Sequence, residues 1–320
     1  MRIRFWGTRG SLPVAADGTV IRRKIKAALT AASRKRLDSP EAIDRFIDRE
    51  LPFPVRNGYG GNSSCLQIIG GETYMLLDMG SGLRCFGQLM MREHGPENPQ
   101  VYHFLMSHSH WDHIMGFPFF PPAYIPGNVI HIHCGHEPEL IEEVFRRQQS
   151  NPVFPVYWEQ LGAEFRFHHL PEGRWHDLNG FRIKLMRQRH HGLSFGFRIE
   201  QDGKAMVYST DGEHKQESEA ETESVVDFYR DADLVIFDAM YSMAETITIR
   251  EDWGHSSNIV GVDLCQRASV KHYCMFHHEP AHDDDTIEAI LQETIRYEEI
   301  VRDGEPMKVS SAYDGLEIDL

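Results

Sequence analysis

The sequence has no run of about 18 consecutive apolar residues, which argues against a transmembrane helix. Its five cysteines are odd in number, widely spaced and never in a C-x-x-C pair, which argues against a disulfide framework. The opening residues, MRIRFWGTRGSLP, lack the apolar stretch of a secretory signal. We therefore expect a cytoplasmic protein with reduced thiols and no membrane partner.

Positive charge is also scarce, because 33 Lys and Arg stand against 48 Asp and Glu, which gives a net charge of -15. Nucleic-acid binding draws most of its affinity from cationic side chains that neutralise phosphates, so a long RNA or DNA partner is not expected. Divalent cations bound to the protein would offset the negative charge locally. A small anionic substrate therefore stays compatible with the composition.

The chain of 320 residues has no Pro/Gly/Ser-rich linker, so we predict one domain over residues 1–320, although its length would also permit two. A helical insertion is predicted at about residues 14–56. There, IRRKIKAALTAASRKRL and SPEAIDRFIDREL have helical spacing, and Ser39 and Pro40 fit the N-cap and first position of the second helix. The basic first segment fits a lid, a homodimer contact or simply a solvated helical face.

The rest of the chain alternates short apolar strands with single helices, which is typical of an α/β protein. This pattern fits two sheets with helices outside them, or one doubly wound sheet. Helices are predicted at roughly 83–93, 137–149, 218–230, 257–268 and 284–297. Strands are predicted at Ile3 to Phe5 and in CLQIIG, TYMLLDMG, VYHFLMSH, VIHIHCG, FRIKLMRQ, FGFRIEQ, KAMVYSTD, DLVIFDA and KHYCMFHH.

The segment SHSHWDH crowds His108, His110, Asp112 and His113 into a loop that directly follows the apolar strand YHFLM. Imidazole and carboxylate are the ligands that zinc and similar ions prefer. Histidines two residues apart can bind one ion while the adjacent Asp-His pair turns toward a second, so the spacing favours a two-metal site. The simpler alternative is a histidine-rich polar loop in a protein with 19 histidines.

Three other strand ends also carry residues of ligand type. The sequence RHHG at 189–192 follows FRIKLMRQ, Asp211 ends KAMVYSTD, and His277 and His278 end KHYCMF. Because a metal site needs ligands from several parts of the chain, four such strand ends favour the metal site over the polar loop.

These segments resemble the metallo-β-lactamase superfamily, whose H-x-H-x-D-H signature is similar to HSHWDH. They resemble most its phosphodiesterase branch, which includes ribonuclease Z and small cyclic-phosphate phosphodiesterases. The resemblance spans the chain outside about residues 14–56. It is carried by WGTRGS, YGGNSSC, LLDMGSGLR, HSHWDHIMGFPFF, HHGLSFGFRI, YSTDGEH, FDAMYS, DWGHSSN and FHHEPAHDD.

The resemblance implies an αββα sandwich with a dinuclear metal site at the strand ends. It implies His108, His110 and His190 on one ion, Asp112, His113 and His277 on the other, and Asp211 bridging both. The choices of His190 over His191 and of His277 over His278 follow the family's usual ligand positions. Two Zn²⁺ ions suit these sulfur-free ligands best, although Mn²⁺ or Fe would also fit.

The activity implied is hydrolysis of a small, cyclic nucleotide or ribose phosphodiester by a hydroxide that bridges the two metals. Asp112 and Asp211 would act as catalytic carboxylates by tempering the charge of the ions. The alternatives are a thioesterase or lactonase on the same fold, and a non-catalytic metal-binding ligand sensor. The absence of a long Gly/Pro-rich arm disfavours a tRNA substrate.

His255, in DWGHSSN, occupies the place of a family histidine that acts on the leaving group or the transition state, so we expect it to be catalytic. Alternatively, the segment is only a helix cap formed by Ser256 or Ser257. Asp238 fits an orienting carboxylate or a cap.

Three further features are ambiguous in the sequence. The aromatic segment 114–128 fits either nucleobase stacking or packing. Arg9 fits either a phosphate contact or a salt bridge within its own turn. In HIHCGH at 131–136, histidines alternate with apolar residues, which favours a half-exposed strand over a third metal site.

Overall fold

The structure is a computed structural model, and it describes residues 1–215, 218–242 and 254–320. The first two residues of the predicted motif DWGHSSN, Asp252 and Trp253, lie outside the described residues, whereas Gly254 and His255 are included. No helix among the described residues is both long enough and apolar enough to cross a membrane.

The first sheet contains seven of the described strands and is antiparallel on one side and parallel on the other. Its strands, in chain order, are β1 (Arg2–Gly7), β2 (Cys65–Ile69), β3 (Tyr74–Leu77), β4 (Val101–Met106), β5 (Val129–Cys134), β6 (Glu164–His169) and, at the end of the chain, β14 (Glu317–Asp319). Their spatial order is β14-β1-β2-β3-β4-β5-β6, so β3 to β6 run side by side in parallel.

The second sheet contains the other seven described strands. They are β7 (Trp175–Leu178), β8 (Phe181–Gln188), β9 (Ser194–Gln201), β10 (Lys204–Ser209), β11 (Leu234–Asp238), β12 (His272–Phe276) and β13 (Lys308–Ser311). Their spatial order is β13-β12-β11-β10-β9-β8-β7, and β10 to β13 are parallel. The parallel strands of each sheet end at one edge, which is the edge that carries the predicted ligands.

The two sheets stack on a shared apolar core that includes Phe5, Leu77, Phe197 and Ile236. The outer face of the first sheet packs against α4 (Leu83–Glu93) and α6 (Pro138–Gln148). The outer face of the second packs against α7 (Glu219–Tyr229), α8 (Asn258–Arg267) and α9 (Asp284–Val301). This is the αββα arrangement of two sheets with outer helices, which confirms the predicted fold and excludes the single doubly wound sheet.

The predicted insertion contains α1 (Gly18–Ala32), α2 (Pro40–Glu50) and the short α3 (Phe53–Arg56). Ser39 is the N-cap of α2, as predicted, and its side chain accepts a hydrogen bond from the backbone N–H of Ala42. The insertion contacts the beginning of α9, where the Lys24 Nζ donates to Asp284 Oδ2 at 2.5 Å and Arg23 pairs with Asp285 at 2.9 Å. Ion pairs between the basic first helix and the aspartates at 283–285 therefore hold it to the sandwich.

Four strands were not among those that the sequence pattern predicts, namely β6, β7, β13 and β14. The last three have only three or four residues each, and their polar composition gives no clear alternation. They exist because an existing strand offers them a pairing edge; β14, for example, pairs with β1 at Ile3 and Ile318. Tertiary pairing of this kind overrides weak local preference.

The aromatic segment 114–128 is mainly part of the core. Phe117 and Phe120 are fully buried, and the Phe120 ring lies 5.3 Å from that of Tyr102 and 5.7 Å from that of Phe104. Phe119, in contrast, is 58% exposed and contacts Phe154 edge-on. The packing interpretation therefore holds for Phe117 and Phe120, and of the three phenylalanines only Phe119 presents its ring to solvent.

This difference predicts unequal effects of two neighbouring substitutions. We expect Phe120→Ala to lower the free energy of unfolding by about 3–5 kcal/mol, because it opens a cavity in the core. Phe119→Ala should lower it by about 1 kcal/mol or less, because that ring is mostly exposed. Urea denaturation of the two variants measures both values, and equal losses would contradict the packing described here.

Candidate metal centre

The predicted ligands converge at the edge where the parallel strands end. The 108–113 loop follows β4, and α5 (Trp111–Ile114) begins within it. His190 follows β8, Asp211 follows β10 and His277 follows β12, so both sheets contribute to the cluster. Residues that are up to 169 positions apart in the chain thus meet because the strands that carry them end at the same place.

Asp211 lies at the middle of the cluster, and its two carboxylate oxygens face different histidines. Oδ1 is 3.8 Å from His108 Nε2 and 3.6 Å from His190 Nε2. Oδ2 is 3.1 Å from His113 Nε2 and 3.3 Å from His277 Nε2. The carboxylate therefore separates the histidines into the two groups that the resemblance implies.

The first group is His108, His110 and His190, and one nitrogen of each lies within 4.8 Å of the others. His190 Nε2 is 3.0 Å from His110 Nδ1. His108 Nε2 is buried and has no hydrogen-bond partner among the described residues. A buried nitrogen with no partner is costly unless something binds it.

The second group is Asp112, His113 and His277, whose donor atoms also lie within 4.8 Å of one another. Asp112 Oδ2 is 3.3 Å from His113 Nε2 and 3.2 Å from His277 Nε2. The same oxygen accepts a hydrogen bond from the backbone N–H of Ser11, which fixes the carboxylate in place. His113 Nε2, like His108 Nε2, has no hydrogen-bond partner within the described chain.

In the metal-free cluster, the pKa values of the buried residues are shifted in different directions. Burial alone would raise the pKa of Asp211, but His277, His113 and His108 hold it well below its usual range. Burial would likewise lower the pKa of His113, but Asp112, Asp211 and Asp78 raise it well above its usual range. Burial keeps the pKa of His108 well below normal. The metal-free cluster therefore keeps a proton on His113, which a cation would displace.

The donors fit divalent metal ions of the zinc type. Five imidazoles and two carboxylates lie together, with no thiol among the described residues of the cluster. Three of the imidazoles, those of His108, His113 and His277, have a buried nitrogen with no hydrogen-bond partner in the described chain. Neutral imidazole and carboxylate are preferred ligands of such ions.

Asp78, directly after β3, is a buried carboxylate beside the candidate centre that the sequence pattern did not single out. It is fully buried, and its Oδ2 accepts hydrogen bonds from His113 Nδ1, the Ser107 hydroxyl and the Tyr208 hydroxyl, each at 2.8 Å. The bond to Nδ1 leaves Nε2 of His113 facing Asp112 and Asp211. Its position at the end of a buried strand, like that of Asp211, is the signal that could have identified it.

The two histidine pairs have clearly different partners. His190 donates through Nδ1 to the carbonyl of Gly254 at 2.8 Å, which turns Nε2 toward Asp211, whereas His191 is exposed. His278 is buried, with Nε2 at 2.9 Å from the carbonyl of Ala312, and only His277 contacts Asp211. The structure thus places His190 and His277, rather than their neighbours, in the cluster.

Gly254 is required for this contact with His190. Its φ of +83° is unfavourable for residues with a side chain, and a Cβ there would lie 2.6 Å from His190 Nδ1. The glycine of GHSS therefore lets the backbone approach the ring.

His255 lies beside the cluster and is held by Asp238, whose Oδ2 is 2.7 Å from His255 Nδ1. Burial would lower the pKa of His255, but Asp238, followed by Asp211 and Asp112, raises it to about 9. His255 is therefore protonated at neutral pH, and because Nδ1 bonds to Asp238, Nε2 carries the proton that can be transferred. Asp238 thus orients His255, and Ser257 is the N-cap of α8, as one interpretation of this turn expected. The catalytic role of His255 stays a prediction.

Three residues of the site adopt the left-handed conformation that non-glycine residues seldom adopt. They are Asp78 with φ of 58°, Asp211 with φ of 51° and His277 with φ of 61°. Each follows a strand and turns its side chain into the cluster. Strain of this kind persists where the surrounding structure enforces it, and it is concentrated at functional sites.

Arg9 does not reach the cluster with its side chain. It is 3% exposed, and its guanidinium donates to the backbone carbonyls of Gly60, Glu279 and His282 at 2.8–3.1 Å. Arg9 therefore ties together the loops around the site, which agrees neither with a phosphate contact nor with a salt bridge within its turn.

The stacked sheets and the histidine and aspartate cluster define an αββα protein with a candidate metal centre. The chain belongs to the metallo-β-lactamase superfamily, because residues 73–278 match the family described as "Beta-lactamase superfamily domain". The predicted superfamily is therefore confirmed. No curated protein matches the chain by sequence.

Solved structures with low sequence identity share this fold. The metallo-β-lactamase fold protein YhfI from Bacillus subtilis has a TM-score of 0.63 and 13% identity, over 99% of this chain and 98% of that chain. A diphosphatase from the PhnP family has a TM-score of 0.59 and 16% identity, over 100% and 97%. The short form of human tRNase Z has a TM-score of 0.58 and 16% identity, over 100% and 99%. Identities this low show the fold alone.

The hydrogen bond between Asp78 and His113 predicts an effect on metal affinity. We expect Asp78→Asn to weaken metal binding by about 10–100-fold, because the amide cannot orient and polarise the imidazole as a carboxylate does. Asp233→Asn is a matched control, since Asp233 is also a buried aspartate but pairs with Lys204 and Lys271 on the second sheet. Titration of the metal-stripped variants with Zn²⁺ measures the affinities, and an unchanged affinity in Asp78→Asn would contradict the role assigned to it.

Proposed function

We propose that the protein is a dinuclear metal-dependent phosphodiesterase that hydrolyses a small nucleotide or ribose phosphodiester. The observation that carries this proposal is the position of Asp211, whose two oxygens face two separate groups of donors. Members of this superfamily are mostly metal-dependent hydrolases. The PhnP-family diphosphatase and human tRNase Z, which share the fold, support the phosphodiesterase branch.

His108, His110 and His190 would hold one cation, and Asp112, His113 and His277 the other, with Asp211 shared between them. Zn²⁺ suits these nitrogen and oxygen donors best, and Mn²⁺ or Fe would also fit. Bound cations would supply a water of lowered pKa and would offset the charge of the phosphoryl oxygens. Asp112 and Asp211 would reduce the net charge of the site and fix the histidines that surround them.

His255 would act as a general acid on the leaving oxygen. The bond from Nδ1 to Asp238 orients the ring and keeps it protonated, so that Nε2 can donate a proton to the alkoxide that leaves. Asp238 is a positioning residue, because it acts only through His255.

A small substrate is favoured over a nucleic acid by the net charge of -15. The fully buried Phe117 and Phe120 cannot stack on a base, which leaves Phe119 as the exposed phenylalanine of that segment. Acyl substrates such as thioesters and lactones are the main alternative for this chemistry.

The first prediction is metal-dependent hydrolysis of bis(p-nitrophenyl) phosphate by the zinc-loaded protein. Asp211→Ala and His108→Ala should abolish it, because each removes a donor at the centre of the cluster. A panel of lactones and thioesters assayed beside the diester separates the two substrate classes. Hydrolysis of the acyl panel alone would overturn the proposal, and fewer than one tightly bound ion per chain would favour a sensor instead.

The second prediction concerns the leaving group. His255→Asn should slow hydrolysis of a diester with an alkoxide leaving group by about 10²–10⁴-fold, because that oxygen needs a proton. The same variant should affect bis(p-nitrophenyl) phosphate much less, because p-nitrophenolate leaves without one. Asp238→Asn should show the same pattern with smaller losses, and an equal loss on both diesters would contradict the general-acid role.

A further inference from the structure

A second group of histidines lies on the three strands at one end of the first sheet. His103 is on β4, His131 and His133 are on β5, and His168 is on β6. In the ladder, His103 is opposite His131, and His133 is opposite His168. Because alternate residues of a strand share a face, all four rings project from the same face of the sheet. We call these four residues the histidine quartet.

The rings of the quartet are in direct contact. His103 and His131 stack with centroids 4.5 Å apart, and His133 and His168 do so at the same distance. His103 Nδ1 and His133 Nε2 are hydrogen-bonded at 3.0 Å, and so are His131 Nδ1 and His168 Nε2 at 2.9 Å, so a cation would have to replace these two bonds. One nitrogen each of His103, His131 and His133 lies within 4.8 Å of the others. Three imidazole donors on rigid strands are sufficient for a transition-metal site with an open position.

The distances between imidazole nitrogens in the quartet are similar to one in the candidate metal centre. There, His190 and His110 also bring two imidazole nitrogens to 3.0 Å of each other. Both clusters therefore contain closely spaced imidazole nitrogens. The quartet residues lie within strands, whereas the residues of the candidate metal centre follow the ends of strands.

One member of the quartet has a buried nitrogen with no partner. His133 is 4% exposed, and its Nδ1 has no hydrogen bond among the described residues. An apolar side chain at this position would avoid the cost of burying that nitrogen. Burial also lowers the pKa of His103 to about 4, so its ring is neutral at pH 7, which is the form that binds metal.

Charged residues also lie on the face of the quartet. Arg166, on β6, donates from Nε to Glu164 Oε1 at 2.7 Å, which offsets part of its charge. Burial, and Arg166 as well, lower the pKa of His131 and His168. Alternation along β5 alone favours a half-exposed strand over a metal site at HIHCGH, and the present proposal departs from that expectation. It is the parallel register of β4, β5 and β6 that adds His103 and His168 to the same face.

We propose that the histidine quartet is a second metal site, separate from the strand-end cluster, which binds one divalent cation of the nickel, copper and zinc class. Nitrogen-only ligation selects this class over Mg²⁺ and Ca²⁺, which prefer oxygen. The proposal does not depend on the activity proposed above, because it concerns other residues and other strands.

The test counts the metal bound by quartet variants. The double variant His131→Asn/His168→Asn removes two rings, and the control His169→Asn removes the adjacent ring on the opposite face of β6. After dialysis of the full-length protein against Zn²⁺, elemental analysis should find one ion per chain fewer in the double variant than in the wild type. The control should bind as many ions as the wild type. Because the result is a difference between variants, it does not depend on how many ions the strand-end cluster holds.

An equal number of ions in the wild type and the double variant would overturn the proposal. Circular dichroism shows whether the double variant folds. If it does not, the number of bound ions per chain is measured instead in the single variant His131→Asn, which changes only a half-buried residue. An independent readout is the anomalous difference map of a Zn²⁺-soaked crystal. The proposal expects a peak about 2.0–2.1 Å from nitrogens of the quartet, and the absence of a peak there would also overturn it.

Discussion

The candidate site depends on one buried carboxylate that faces two sets of donors. Asp211 is 2% exposed and adopts a left-handed conformation directly after β10, which turns both of its oxygens into the cluster. Five imidazoles and a second carboxylate surround it, and buried nitrogens of His108, His113 and His277 have no hydrogen-bond partner among the described residues. Folding therefore gathers polar groups whose burial is costly on its own and favourable once cations neutralise and bind them.

The αββα sandwich makes this arrangement possible. The apolar core between the sheets fixes their relative position, and the loops that follow the parallel strands of both sheets lie at one edge. Around the donors lies a shell of fixed contacts that aims each ring, in which Asp78 holds His113, the carbonyl of Gly254 holds His190 and Asp238 holds His255. This shell sets the orientation of the nitrogens before any ion binds, which lowers the cost of assembling the site.

The sequence was informative where one segment carries the whole signal. Glycine-punctuated apolar runs located ten of the fourteen described strands, and Ser39 and Pro40 marked the start of α2. The clustered spacing in SHSHWDH indicated the candidate metal site, and strand-end positions indicated its distant members. The sequence was uninformative where the pairing of separate strands determines which residues come into contact. Asp78 shares its strand-end position with Asp211, but its bond to His113 appears only in the structure. The histidine quartet depends on the register of three strands, which no single segment contains.

The most direct test of the account is a crystal structure of the protein soaked in Zn²⁺, with anomalous scattering recorded at the zinc edge. The account predicts two peaks at the strand-end cluster, one beside each oxygen of Asp211. One should lie about 2.0–2.2 Å from donors of His108, His110 and His190, and the other at the same distance from donors of Asp112, His113 and His277. A map with no peak in contact with Asp211, or with one peak bound to a single histidine group, would contradict it.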